Sequence, residues 1–230
     1  MALAPVVVTI DGPAGSGKST LAADLAARLG AAALHTGRHY RAIALAMNRI
    51  GVAPTDEFTV AAWLRDAAPS LTVDGRLMLH GAAYTPSDLE SPDADALVST
   101  ISNQPLVRRR LIDLQKDWVR AWTQARRSVV IEGRDAGTQI APHAHRRFYL
   151  TCSATERAER RLRQRGASGE EYLRIRAEIE ARDAEDRGFG RTTADTPGII
   201  TLTTDGCQRG EVLTSLLRLV LDADPPTGEA

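Results

Sequence analysis

Residues Gly12 to Ser19 read G-P-A-G-S-G-K-S and match the pattern G-x-x-x-x-G-K-[ST] of a phosphate-binding loop, or P-loop. The glycines of this pattern let backbone N–H groups approach a triphosphate, and the helix that follows directs the positive end of its dipole at it. A β-branched apolar run at 6–10 precedes the loop, and leucines at helical spacing follow it at 19–29. The pattern therefore predicts a buried strand, a loop that binds a nucleoside triphosphate, and a helix.

Individual residues of the P-loop have distinct expected roles. Lys18 is expected to bridge the β- and γ-phosphates, and it stands out because Lys116 is the only other lysine of the chain. The Ser19 hydroxyl is expected to ligate Mg²⁺. Glu132 ends the apolar run 129–131 and is a second candidate for the ion or its waters, although many strands end in an acidic residue without binding metal. The residues predicted to bind ATP here are Gly12, Ala14, Gly15, Ser16, Gly17, Lys18, Ser19 and Thr20.

Short apolar runs alternate with amphipathic segments, which indicates an α/β fold with a parallel sheet. Strands are predicted at 6–10, 31–34, 128–131, 147–150 and 199–203. Helices are predicted at 19–29, 39–50, 60–68, 105–127, 155–164, 170–186 and 209–221. We interpret 52–104 as an inserted lobe, with a hairpin around Asp74 and Gly75 and a loop punctuated by Pro86 and Pro92. Residues 224–230 are expected to fray.

Charge and cysteine content exclude several classes of protein. The 230 residues carry 29 basic and 29 acidic side chains, so the basic excess typical of a protein that binds long nucleic acids is missing. No run of the sequence is long and apolar enough to cross a bilayer. Cys152 and Cys207 lack metal-ligand spacing and suit a reducing compartment, so we expect a cytoplasmic protein.

Two polar clusters directly follow the second and third predicted strands, T-G-R-H-Y-R at 36–41 and G-R-D-A-G-T at 133–138. The carboxyl ends of parallel strands face one crevice, so Arg41 and Arg134 are expected to point toward one place. Two arginines can hold a dianionic phosphate, and Asp135 can accept a hydrogen bond from an exocyclic amine such as cytosine N4. These clusters predict a small-molecule acceptor that already bears a phosphate.

With these motifs the chain resembles the cytidylate kinase family of nucleoside monophosphate kinases over nearly its whole length, from Asp11 to the strand near Asp205. Residues 133–138 match the family signature G-R-D-x-G-T. The resemblance implies ATP- and Mg²⁺-dependent phosphorylation of CMP or dCMP. We expect a monomer, since a kinase with two mobile lobes can complete its site within one chain. It implies a three-layer P-loop kinase fold with a five-stranded parallel sheet, divided into a core (1–51, 105–155 and 192–230), an acceptor-binding insert (52–104) and a lid (156–191).

The same resemblance assigns roles to residues outside the P-loop. Arg182, Asp183 and Asp186 match an R-D-x-x-D stretch of the lid. Arg157 or Arg161, in a dense run of arginines, would contact ATP near the base of the lid; the alternative is a solvated helical face. The implied acceptor-binding residues are Thr36, Tyr40, Arg41, Ser99, Arg108, Arg134, Asp135 and Asp186. The implied catalytic residues are Lys18, Arg134, Arg182 and Arg191.

The chain departs from the family pattern at the acceptor and lid sites. The family usually has aspartate at the position of His35, a small residue at Arg38 and an aliphatic residue at His39. Either Arg187 or Arg191 takes the role of the lid arginine, and the spacing to the last strand favours Arg191. Two alternatives stay open: a kinase of the same fold with a changed acceptor, such as a modified pyrimidine nucleotide or another small metabolite, and a nucleotide-binding module without kinase activity.

Overall fold

The computed structural model describes residues 5–166, 169–188 and 191–222. The chain divides into two compact units, one formed by Met1–Ala33 with Ala125–Ala230 and the other by Leu34–Gln124. The strands are β1 (Val7–Asp11), β2 (Ala32–His35), β3 (Ser70–Leu71), β4 (Leu77–Leu79), β5 (Ala82–Ala83), β6 (Val129–Gly133), β7 (Arg146–Thr151) and β8 (Ile200–Thr203). The α-helices are α1 (Lys18–Leu29), α2 (Thr36–Arg49), α3 (Glu57–Ala67), α4 (Pro86–Leu89), α5 (Pro92–Ser102), α6 (Pro105–Gln124), α7 (Ala154–Arg165), α8 (Tyr172–Gly188) and α9 (Arg209–Leu221).

The first unit is built on a parallel sheet with the strand order β2-β6-β1-β7-β8. In the centre of the sheet, Thr9 of β1 pairs with Ile131 on one side and with Arg147 on the other. All residues of β6 are buried, as expected for a strand covered on both faces. The predicted α/β class and five-stranded parallel sheet are confirmed, and the P-loop follows the carboxyl end of β1.

Helices α1 and α9 contribute their apolar faces to the core of the first unit. Leu25 of α1 and Leu216 of α9 are fully buried in one cluster with Ile10 and Phe148 of the sheet. Asp24 of α1 also accepts hydrogen bonds from the guanidinium of Arg209, near the surface. A smaller apolar cluster joins α7 to α8 through Ala158, Ile175 and Ile179.

The second unit has its own apolar core and a small antiparallel sheet of order β3-β4-β5. Ile43 and Met47 of α2 pack in one cluster with Ile101 of α5 and Leu111 of α6. On α6, the Trp118 indole N–H donates to the carbonyl oxygen of Thr72 at 3.0 Å, a bond that ties the hairpin to the long helix.

The prediction of a loop around Pro86 and Pro92 is wrong, because each proline begins a helix. Proline fits the first helical turn, where its missing N–H would have no intrahelical partner. Thr85 and Ser91 precede the prolines and cap the two helices by accepting backbone N–H bonds. Elsewhere α2 begins at Thr36 rather than at 39, and the expected fraying of 224–230 falls outside the described residues.

The two units do not coincide with the three predicted parts of the chain. Helices α2 and α6 belong to the same unit as 52–104, because their apolar faces pack against that segment. The division into core, insert and lid therefore stays a prediction. Among the described residues, no helix has the length and apolar character needed to cross a membrane.

Candidate active site

The P-loop has a backbone shape that depends on its glycines. Gly12, Gly15 and Gly17 adopt φ angles of +153°, +78° and +87°. A Cβ atom on Gly12 would lie 2.6 Å from the carbonyl oxygen of Leu150, so only glycine fits there. Ser16 has a buried hydroxyl oxygen without a hydrogen-bond partner. This loop leads directly into the N-terminus of α1, an arrangement suited to binding phosphate.

Lys18 is half-buried at the start of α1, and its Nζ donates to the carbonyl oxygen of Pro13 at 3.0 Å. Burial lowers the pKa of Lys18 from 10.5 to about 7; the nearby Arg134 acts in the same direction and Glu132 in the opposite one. Phosphate oxygens beside the amine would favour its charged form. The protein alone therefore disfavours the charged form of Lys18, and a bound anionic ligand would favour it again.

Ser19 and Glu132 are the residues expected to bind Mg²⁺. Ser19 is exposed in the first turn of α1, and Glu132 is buried in β6, where it pairs in register with Ile10 of β1. Glu132 lies close enough to Lys18 to raise its pKa. Hydroxyl and carboxylate oxygens suit a hard cation that keeps several waters and binds substrate phosphates. The two side chains therefore fit such an ion.

Asp186 forms ion pairs with two of the predicted active-site arginines. Its carboxylate lies 3.1 Å from Nε of Arg134 and 3.2 Å from Nε of Arg191. The Arg134 guanidinium also donates to the carbonyl oxygen of Gly12 in the P-loop. Arg134, Arg182 and Asp186 all affect the pKa of Lys18. Every predicted catalytic residue thus belongs to one charged cluster in the first unit.

Arg157 is a buried side chain that hydrogen-bonds to the P-loop. Its side chain is 4 % exposed, and it donates to the carbonyl oxygens of Cys152 at 2.9 Å and Ala14 at 3.2 Å and to the carboxylate of Asp183 at 3.0 Å. The solvated-face alternative therefore does not hold for Arg157, although it describes Arg163, which is 70 % exposed. The predicted contact of Arg157 with ATP stays a prediction.

The second unit contains the other predicted acceptor-binding residues. Thr36 and Tyr40 are buried in the first turns of α2, and Arg41 donates to the carbonyl oxygen of Leu89 at 2.7 Å. The predicted residues on the two helices that follow are half-buried Ser99 of α5 and Arg108 of α6. Arg41 and Arg134 lie in different units, so their expected convergence stays a prediction. The side chain of Arg187, the alternative lid arginine, is outside the described part of the chain.

Two of the departures from the family pattern take part in contacts inside the second unit. His39 is buried, with Nε2 2.9 Å from the carbonyl oxygen of Gly75 and Nδ1 3.0 Å from the side-chain amide nitrogen of Gln115. Because a carbonyl accepts only, Nε2 carries the proton and Nδ1 accepts from the amide. Arg38 forms a 3.0 Å ion pair with Glu90. Both side chains thus have partners within the second unit.

Asp11 is a residue of the site that sequence reasoning did not assign. It ends β1, is fully buried, and accepts hydrogen bonds from the backbone N–H groups of Ala136 at 2.9 Å and Gly137 at 2.8 Å. Burial raises the pKa of Asp11 from 3.8 to about 6. An acid at the end of an apolar run is the signal that identified Glu132, and the same signal precedes the P-loop.

Comparison with known proteins adds independent findings. The family model described as cytidylate kinase matches residues 8–220. A cytidylate kinase of Symbiobacterium thermophilum is 39% identical over 224 residues, covering 93% of this chain and 95% of its own. One from Mycobacterium leprae is 41% identical over 182 residues, covering 77% of this chain and 78% of its own. A solved structure of an uncharacterized protein from Eubacterium ventriosum has a TM-score of 0.50 at 10% identity, covering 94% of this chain and 98% of its own, a likeness of fold alone.

Proposed function

Since the chain belongs to the cytidylate kinase family, we propose that it transfers the γ-phosphoryl group of ATP to CMP or dCMP. The observation that carries this proposal is the charged cluster beside the P-loop, in which Lys18 lies within electrostatic reach of Arg134 and Arg182. Cationic donors held in place can stabilise the negative charge of a phosphoryl group during its transfer.

Positioning and charge neutralisation account for most of the proposed mechanism. The acceptor phosphate is itself the nucleophile, and it is largely ionised near pH 7, so no strong general base is required. Lys18 contacts the β- and γ-phosphates, while Ser19 and Glu132 would hold Mg²⁺, which supplies further positive charge at the phosphate oxygens when bound. The chain then has to hold donor and acceptor in line and to exclude water.

The pairing of Asp186 with Arg134 and Arg191 supports a role for these arginines at the transferring group. An ion pair restricts a flexible guanidinium, so less conformational freedom is lost when a phosphate oxygen arrives. Arg134 is tied in addition to the Gly12 carbonyl at the start of the P-loop. The two arginines are therefore proposed as donors that are already oriented before transfer begins.

The residues proposed to bind the acceptor are those that the family resemblance implies. In the second unit these are Thr36, Tyr40, Arg41, Ser99 and Arg108. In the first unit, buried Asp135 would accept a hydrogen bond from the cytosine amine.

The contacts of His39 and Arg38 favour an unchanged acceptor over the changed-acceptor alternative. His39 is engaged by Gly75 and Gln115, and Arg38 by Glu90, so two of the three departures behind that alternative have partners within the second unit. The third departure, His35, is the reason why the substrate panel includes acceptors other than CMP and dCMP. CMP and dCMP therefore remain the proposed acceptors.

A substrate panel tests the proposal. Transfer from ATP to CMP, dCMP, UMP and AMP is measured for the wild type, for Asp135→Asn and for the control Asp117→Asn, whose side chain is 68% exposed on α6. We expect the wild type to prefer CMP and dCMP. Asp135→Asn should lower kcat/KM for CMP by about tenfold or more, because the neutral amide oxygen accepts a weaker hydrogen bond from the amine than the carboxylate does, and the amide NH₂ group cannot accept at all. Asp117→Asn should match the wild type.

The outcomes of the panel separate the alternatives. If the wild type binds ATP but phosphorylates none of the four nucleotides, cytidylate kinase activity is rejected. The protein would then be either a kinase with a changed acceptor or a nucleotide-binding module without kinase activity. Strong CMP turnover unaffected by Asp135→Asn would keep the activity and remove Asp135 from base recognition.

Location and assembly complete the proposal. Both cysteines within the described residues are free thiols, which supports a reducing, cytoplasmic location. We propose that the protein acts as a monomer, because a kinase with two mobile lobes can complete its site within one chain.

A further inference from the structure

Asp11 links the start of the P-loop to the turn that carries the acceptor-binding signature. Both of its carboxylate oxygens are used, one by the N–H of Ala136 and one by the N–H of Gly137. These two amides directly follow Arg134 and Asp135 in the chain. A fully buried carboxylate is kept in a protein only where such bonds offset its desolvation, and the raised pKa of Asp11 reflects that burial.

The turn held by Asp11 lies unusually close to β1. A Cβ atom on Gly137 would stand 2.8 Å from the Thr9 hydroxyl oxygen and 3.3 Å from a carboxylate oxygen of Asp11, so a larger residue would push the backbone away. On the other side of the turn, the Arg134 guanidinium reaches the Gly12 carbonyl. The turn therefore donates hydrogen bonds both to the end of strand β1 and to the P-loop.

Thr192 extends the same connection to the segment that carries Arg191. The Thr192 N–H donates to the carbonyl oxygen of Arg134 at 2.9 Å, and its hydroxyl lies 3.1 Å from the Thr138 hydroxyl. Thr192 is 4% exposed, and its side chain acts against the effect of burial on the pKa of Asp11. The signature turn that bonds to Asp11 is thus bonded on its other side to Thr192, the residue next to Arg191.

We propose that Asp11 is a positioning residue for phosphoryl transfer: it fixes the signature turn against β1 and the P-loop, and through that turn the 191–192 segment, and so sets the positions of Arg134 and Arg191. This inference rests on the proposed function. Asp11 acts through the arginines, since its carboxylate oxygens are already occupied by backbone N–H groups. Misplacing a catalytic group by about 1 Å can lower a rate on the order of 100-fold.

Asp11→Asn is the variant that tests this role with the smallest change in shape. An amide keeps one oxygen for one N–H but directs an NH₂ group at the other, so one of the two bonds is lost. We expect KM for CMP to rise by about tenfold and kcat to fall, while KM for ATP changes less than about twofold. A merely structural role would reduce the fraction of folded enzyme, which lowers kcat alone and leaves both KM values unchanged.

Matched variants separate positioning from stability. Asp24→Asn removes another carboxylate of the same unit, which pairs with Arg209 and is distant in sequence from the turn. This variant should leave both KM values at wild-type levels. Thr192→Val removes the hydroxyl bond to Thr138 while keeping the shape of the side chain. It should raise KM for CMP in the same direction as Asp11→Asn, and the two effects should not add because they act on one network. If Asp11→Asn fails to fold, Thr192→Val carries the test.

Backbone hydrogen exchange gives a readout that does not depend on turnover. We expect the amides of Ala136 and Gly137 to exchange faster in Asp11→Asn than in Asp24→Asn. Unchanged exchange at these amides, or equal changes of KM for ATP and CMP, would overturn the proposal. Failure of the proposed function is recognised separately, because the wild type itself would then phosphorylate no acceptor; Asp11 would in that case have no role in transfer.

Discussion

Replacing Asp183 by alanine should destabilise the protein strongly, because it leaves the buried guanidinium of Arg157 without its counterion. The two side chains are 4% and 19% exposed. The Arg157 guanidinium keeps its bonds to the carbonyl oxygens of Cys152 and Ala14 and loses those to the carboxylate. Breaking a buried ion pair costs about 3–5 kcal/mol. Since water can reach Asp183, we expect the lower end of that range, a loss of about 3 kcal/mol in the free energy of unfolding.

The matched control is Glu180→Ala on the same helix. Glu180 pairs with Arg176 at 2.8 Å, and the two side chains are 52% and 45% exposed, so the loss should stay below about 1 kcal/mol. Urea unfolding followed by far-UV circular dichroism compares the variants with the wild type at one pH. The double variant Asp183→Ala with Arg157→Met should recover part of the loss, because no unpaired charge remains buried. Equal losses for Asp183→Ala and Glu180→Ala would refute the reasoning.

Three further predictions follow from the buried groups of both units. The pKa of Asp11 is raised from 3.8 to about 6, so between these pH values the folded protein binds a proton that the unfolded chain has released. As the pH rises from about 4 to about 6, the free energy of unfolding of the wild type, measured relative to Asp11→Asn, should therefore fall by about 3 kcal/mol. Urea unfolding at several pH values measures this, and parallel pH profiles of the two proteins would contradict it. Gly137→Ala should lose about 1–3 kcal/mol in thermal or urea unfolding, because its Cβ would approach the Thr9 hydroxyl to 2.8 Å; wild-type stability would show that the turn shifts freely. Trp118→Phe should lose about 1 kcal/mol, since the carbonyl of Thr72 loses its indole donor at 3.0 Å, whereas no loss would mean that water replaces it.

The order of the elements and the P-loop could be predicted from the sequence because both depend on short-range patterns. The β-branched runs before Gly12 and before Glu132 became β1 and β6, and the glycine-rich motif became the loop between β1 and α1. Helices α4 and α5 were missed for a physical reason as well. The prolines at 86 and 92 predict a loop, but proline is also favoured in a first helical turn when a capping residue such as Thr85 precedes it.

The roles of individual charged residues could not be predicted in the same way, because they depend on partners distant in sequence. Arg157 looks like its neighbours in an arginine run, yet its contact with Ala14 spans 143 residues. Asp11 and Gly137 are 126 residues apart. A periodic pattern indicates which face of a helix is apolar, but it does not indicate which guanidinium forms an ion pair with a buried carboxylate.

The central place of β1 in the sheet has a consequence for how the chain folds during synthesis. The bond from the Val6 N–H to the Ser128 hydroxyl, next to β1 and β6, joins residues 122 apart. At a translation rate of roughly 5–20 residues per second, β6 is made on the order of ten seconds after β1. All of Leu34–Gln124 is synthesised in that interval, and its core lies within its own span. The second unit is therefore expected to fold first. Until β6 has been synthesised, the apolar strand β1 lacks this partner strand and is accessible to chaperones that bind the nascent chain.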